Sequence, residues 1–295
     1  MRNGYIVRAR FKPEPRDVDN CHMPESIADI LGRRDDLSTF LIHLCRERTP
    51  GTSAAQVLNQ IVDGRVLRAM TPMGWAKVVD DPNNPDAQSQ RTVCFSETPL
   101  QHIYSLFAEI EGRSICLKPY GVALTKVVAR RLGVNPVWYV DMTTRGGREW
   151  EEARALDEIR REAIATGAFH SGPVAKILPF FEHMGTWPTS RKEFWWEREW
   201  RHRGDLNLAA VWSKLIWLAP EADHAALSAR LQAANGNARA PIVLDPSWGI
   251  EQIIGRLCGL EPDDVSLFHV STERREANGV IHSSAPLNPL TPRAA

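Results

Sequence analysis

Apolar and polar positions alternate along this chain in short blocks, some with the period of a strand and others with that of a helix. Residues 37–46, LSTFLIHLCR, form the first strongly apolar run, which suits a buried strand or a strand leading into a helix, and His43 sits inside it. After the turn signals TPGTS, residues Ala54, Ala55, Leu58, Ile61 and Val62 make a helical stripe that Gly64 closes, with Ser53 as its N-cap. TVCFSETPL predicts a short strand ending at Ser96, then a helix capped by Thr98 with Pro99 in its first position and a stripe of Leu100, Ile103, Tyr104, Phe107 and Ile110.

Further on, SICLKPYGVALT reads as a strand interrupted at Pro119–Gly121, TKVVARRLG as a helix stopped by Gly133, and NPVWYV as a short buried strand. The charged run within residues 141–172 predicts an amphipathic surface helix, and VAKILPFFEHMG leads on to FWWEREWRH. Aromatic residues favour a strand over residues 194–202. Strand alternation would put Trp195, Glu197, Glu199 and Arg201 on one side, two acids next to each other, with the three tryptophans in the core. A helix would instead pair Glu197 with Arg201 at i, i+4. Beyond this, SKLIWLAP reads as a strand, EADHAALSARLQAANG as a helix, APIVLD as extended, WGIEQIIGRLCG as a helix and VSLFHVS as a last strand.

Strands and helices mix without strict alternation, so the fold class is α+β, not doubly wound. The expected organisation is an adaptable N-terminal segment over 1–36, containing the helical stretch ESIADILGRRDDL. One α+β domain follows over 37–271, then a disordered tail over 272–295. The polar stretch DDPNNPDAQSQ reads as a loop that is mobile or shields a pocket.

Charge narrows the partners. Lysine plus arginine and aspartate plus glutamate both number 36, which argues against coating nucleic acid through many phosphate contacts. No apolar stretch reaches the length of a membrane span and the start carries no signal-peptide core, so a cytoplasmic protein is expected. Five scattered cysteines without C-x-x-C spacing read as reduced and mostly buried. The pairs Cys21–His22 and Glu182–His183 lack further metal ligands, and no metal is expected.

The order LIHLCR, a small helix ending in DGR, VCFSETPL, YGVALTK, NPVWYV and EREWR resembles the AbiGi-type abortive-infection proteins of bacteria. More distantly it is similar to the DarT-like branch of ADP-ribosyltransferases. The resemblance runs over residues 37 to 205 and implies an ADP-ribosyltransferase-like split β-sheet core with surrounding helices and a cleft for NAD. It assigns His43 to the nicotinamide or adenosine-ribose end and Arg46 to the pyrophosphate, and lays the acidic strand across the nicotinamide ribose. Cleaving the bond from ribose to nicotinamide creates an oxocarbenium-like centre, which a carboxylate beside the ribose stabilises. Glu199 is the candidate for that role. Glu197 would orient or deprotonate an acceptor, which could be RNA, DNA or protein. Tyr120 could stack on a flat ring of NAD.

Each residue also has a purely structural reading. His43 can be a core histidine bonded to backbone, Arg46 can pair with Glu47 or Asp63, and Tyr120 can fill core. Glu97 suits a helix start, Lys126 a solvated face, and Arg198 or Arg201 can compensate the two acids. Two functions therefore follow: an NAD-dependent effector of anti-phage defence, which transfers ADP-ribose or hydrolyses NAD, or a non-enzymatic antitoxin or sensor with a cognate toxin or antitoxin partner. Separation of His43 and Glu199 into different cores favours the second.

Overall fold

The computed structural model describes residues 33–48, 51–79, 89–110, 113, 115–143, 150–168, 172–187, 190–235 and 240–260. The expected helix ESIADILGRRDDL lies outside these residues up to Leu31–Gly32, as do most of the loop DDPNNPDAQSQ, the strand VSLFHVS and the tail. The described chain divides into a main unit ending at Ser247 and a second piece from Trp248.

The strands of the main unit are β1 (Phe40–Leu44), β2 (Val66–Leu67), β3 (Thr71–Pro72), β4 (Arg91–Ser96), β5 (Gly121–Thr125), β6 (Asn135–Pro136), β7 (Trp138–Asp141), β8 (Phe181–Trp187), β9 (Ser190–Lys192), β10 (Glu199–Arg203), β11 (Leu206–Asn207), β12 (Ile216–Leu218) and β13 (Ile242–Leu244). The helices are α1 (Ala54–Gly64), α2 (Tyr104–Phe107), α3 (Lys126–Arg131), α4 (Glu151–Ala165), α5 (Pro173–Ile177) and α6 (His224–Asn235). In the second piece, α7 (Ile250–Cys258) buries Ile253 and Gly255 and ends at Gly259, which is left-handed.

The order in the large sheet is β13-β12-β5-β1-β4-β10-β6, with β3 on β4. All its pairs are antiparallel except β12 with β13, which α6 connects as a parallel crossover must be. A three-stranded sheet, β7-β8-β9, and the pair β2–β11 complete a mixed α+β architecture.

One face of the large sheet carries the main core. Leu41, Val93, Phe95, Val122, Leu124, Trp217 and Val243 pack with Leu58, Ile61 and Val62 of α1 and Leu227 and Leu231 of α6. Each such side chain contributes about 1.5–3 kcal/mol relative to exposure. Helix α1 forms as its pattern predicts: Ser53 Oγ accepts from the Gln56 N–H and the Gln56 side chain accepts from the Ser53 N–H, a closed capping box. The left-handed residue that ends it is Arg65, one past Gly64. A smaller core of Trp75, Val140, Ala163 and Leu178 lies beneath the three-stranded sheet.

Three expected elements differ. The helix after Pro99 is only a 3₁₀ turn at Leu100–His102 followed by α2, with Tyr104 half exposed and no side-chain cap. NPVWYV breaks into β6 and β7, and its Trp138 is exposed instead of buried. The strand over residues 194–202 starts only at Glu199, because Phe194–Glu197 is a 3₁₀ turn. No helix among the described residues is long and apolar enough to cross a membrane.

Candidate functional site

The turn Glu197–Arg198–Glu199 carries one of the two left-handed non-glycine residues among the described residues, the other being Arg65. Arg198 adopts φ 44°, ψ 58°, a left-handed conformation that costs a non-glycine residue about 1–3 kcal/mol and persists only where surroundings impose it. Those surroundings are long-range: its Nη1 donates to the Asp36 carbonyl at 3.0 Å, and the Asp36 and Glu97 carboxylates each lie 3.7 Å from the guanidinium. The chain turns between the two acids, so the expected single face of Trp195, Glu197, Glu199 and Arg201 reduces to Glu199 and Arg201. Trp195 and Trp196 are 55% and 39% exposed, not core; only Trp200 packs against the main core.

Arg201 is wholly buried and organises the acids around it. Its Nε donates to Glu199 Oε1 at 3.0 Å and its Nη2 to Glu199 Oε2 at 2.7 Å, a two-pronged pair. The same Nη2 reaches Glu182 Oε2 at 2.5 Å, and Nη1 donates to the Pro179 carbonyl at 2.7 Å. Lys192 Nζ closes the cluster on Glu182 Oε1 at 2.6 Å. Two cations meet two anions, so the group is neutral as a whole, and it ties β10 of the large sheet to β8 and β9 of the small one. Burial alone would raise the Glu182 carboxyl, but the Arg201 and Lys192 charges outweigh it and hold it below its ordinary value. Burial likewise works against the Arg201 cation and is outweighed by the carboxylates, chiefly Glu199.

Glu197 sits against a different partner. Arg113 Nη1 donates to its Oε1 at 3.2 Å, while Arg113 Nη2 donates to the carbonyls of Leu106 and Ala108. Burial raises the Glu197 carboxyl; Arg113 opposes this, and the nearby Glu199 charge adds to it. The Tyr139 hydroxyl accepts from the Glu199 backbone N–H at 3.1 Å, and burial first, then the Glu199 charge, raises its phenol.

The other three candidates lie elsewhere. Ser96 of β4 is opposite both Ile42 and Glu199, so those two share its face. His43, next to Ile42 and opposite Val122, therefore takes the other face, where its ring lies 5.7 Å from Phe95. Its Nδ1 is 2.8 Å from the Cys94 carbonyl, and burial lowers its pKa. This is the backbone-bonded core histidine. Arg46 forms no ion pair among the described residues, since Glu47 approaches Lys118 at 3.8 Å and Asp63 holds Arg230. Tyr120 donates to Asp223 Oδ2 at 2.6 Å beside a cleft between α1 and α6. The five thus fall into two groups: Glu197 and Glu199 at the turn before β10, and His43, Arg46 and Tyr120 at the β1–β5 end, where the Cys45 N–H donates to the Tyr120 carbonyl at 2.6 Å.

Glu97, read as a helix start, is instead bonded by Lys126 Nζ at 2.9 Å and Trp200 Nε1 at 3.0 Å, so Lys126 is not a purely solvated residue. Glu182, Tyr139, Arg113 and Lys192 were not apparent from sequence. The signal for Glu182 was visible only as an isolated Glu–His pair, and His183 Nδ1 does lie 3.5 Å from its carboxylate. Among the described residues no three His, Cys, Asp or Glu side chains are grouped to hold a metal.

No family model, curated protein or solved structure matches this chain.

Proposed function

We propose that this chain is a cytoplasmic, non-enzymatic component of a bacterial abortive-infection system, an antitoxin or sensor, built on an ADP-ribosyltransferase-like frame. The observation that carries this reading is the two-pronged Glu199–Arg201 pair on the sheet face opposite His43. A carboxylate that stabilises an oxocarbenium centre acts through negative charge that is free to interact with the ribose. Here that charge is committed to a buried cation, and the cluster around it sums to zero. The succession of β1, β4 and β10 as neighbours supports the frame, since it brings the histidine-bearing and glutamate-bearing strands to either side of one strand. Trp195 and Trp196, exposed on the turn before β10, suit a partner surface, where indoles are enriched.

The test is incubation of the purified chain with NAD and with RNA, DNA and protein acceptors. The expected result is no nicotinamide release above a protein-free blank and no NAD-dependent rise in melting temperature. In phage-challenged cells, Trp195→Ser with Trp196→Ser should abolish protection without altering the melting temperature. Nicotinamide release that Glu199→Gln removes while the fold persists would overturn the reading.

A second reading, NAD-dependent transfer to a macromolecule, draws on one observation: Glu197 and Glu199 adjoin across a left-handed residue, and one of them has a raised carboxyl. Unequal acids are how sites separate a proton acceptor from a fixed anion. Under it, Glu199→Gln costs roughly a hundredfold in rate, and Glu197→Gln impairs transfer more than NAD hydrolysis.

A further inference from the structure

We propose that the cleft between α1 and α6 binds a guanidinium-terminated alkyl group. The cleft encloses about 200 Å³ and is lined by Leu58 and Asn59 of α1, Leu227 and Arg230 of α6, and Tyr120 and Asp223. That is smaller than the roughly 300–1,000 Å³ of clefts that take drug-sized ligands, so its occupant is the size of one side chain. Leu58 and Leu227 belong to the main core and give an apolar floor for an alkyl stem.

The polar groups at the rim select the head of that ligand. Asp223 Oδ2 accepts the Tyr120 hydroxyl, and a carboxylate has about four acceptor positions. Among the described residues no cation pairs with it. The lining cation, Arg230, is held by Asp63 through Nε at 3.0 Å and Nη2 at 2.5 Å. The first turn of α6 offsets part of the Asp223 charge, about half a unit at most. Residual negative charge therefore faces the cleft beside the Tyr120 ring. Burial, then the bond to Asp223, pushes the phenol up to about 12, which keeps it a donor and leaves the carboxylate the acceptor. A planar guanidinium can donate to the remaining Asp223 oxygen and lie against the Tyr120 face, which a neutral or anionic head cannot do. The group could belong to a free small molecule or to an arginine side chain on a peptide. The chemistry recognised is the same.

Agmatine, a capped Gly-Arg-Gly peptide and neutral 1-pentanol are titrated into the full chain, reading melting temperature and the Tyr120 ring resonances. The expected result is saturable binding of agmatine or the peptide, with a dissociation constant on the order of 1 mM, and at least tenfold weaker binding of pentanol. Tyr120→Phe keeps the ring and frees an Asp223 acceptor, so it should retain binding, whereas Asp223→Asn should lose it. Agmatine binding without the peptide identifies a free ligand, and peptide binding at least as strong identifies a side chain. No saturation by either up to ~10 mM, equal response to pentanol, or undiminished binding by a folded Asp223→Asn variant overturns the proposal.

Discussion

Arg201→Met removes the cation that Glu199 and Glu182 share while keeping an unbranched apolar side chain in the same space. Removing one partner of a buried ion pair costs about 3–5 kcal/mol, because the surviving charge stays buried and unpaired. Two features place the loss at the lower end here: Lys192 remains on Glu182, and the Glu199 side chain keeps 13% of its exposure. For 295 residues, about 3 kcal/mol converts to roughly 5 °C in melting temperature. The pH dependence follows from Glu182, whose folded pKa lies below the ordinary 4.5. A depressed carboxyl contributes stability that is fully present above the unfolded value and is lost as pH falls through the folded one. The unfolded chain is common to both proteins and losing Arg201 lifts the folded Glu182 carboxyl, so the gap should be largest near pH 7 and close as pH falls through the acid range. Urea unfolding at a series of pH values measures it. A difference under about 1 kcal/mol at pH 7 would equal a surface pair and refute the claim that this cluster joins the two sheets, as would a gap that widens in acid.

Ser53→Ala opens the capping box of α1 and should cost about 1 kcal/mol in urea unfolding. Glu197 should titrate above 4.5 by carboxyl carbon NMR; its raised value means that its favourable contribution is present in acid and is lost as pH rises through the folded value. Brief treatment with a thiol reagent, read by mass spectrometry, should label exposed Cys116 and Cys258 well before Cys45, whose thiol burial pushes up to about 12, and Cys94, which burial also raises.

What could be read from sequence was whatever local chemistry decides. Helix α1 announces itself by its stripe and its cap, and α3 by the run TKVVARRLG, to which the structure adds a cap, the Thr125 hydroxyl accepting from the Val128 N–H. FWWEREWRH was misread because its aromatics favour a strand, whereas the event that ends the turn is a left-handed arginine. No local preference predicts that conformation; its support comes from Asp36, 162 positions away, and from Glu97. Glu182 shows in sequence only as a neighbour of His183, and its role does not, since its cations arrive from β9 and β10.

The choice between the two functional readings finally rests on a parity. Side chains alternate along a strand, so a slip of one residue between β1 and β4 would carry His43 to the face of Glu199 and Arg201. The five consecutive pairs from Phe40↔Thr125 to Leu44↔Gly121 hold β1 against β5, and Ile42↔Ser96 sets it against β4. Gly121 reinforces the register of β1 against β5, because a Cβ there would lie 2.1 Å from the His43 carbonyl oxygen, so only glycine lets these two strands meet at this point. Backbone nuclear Overhauser contacts decide the matter. Contacts between Ile42 and Ser96 are expected, and contacts pairing His43 with Ser96 would return the histidine to the acidic centre and the chain to the NAD-cleaving reading.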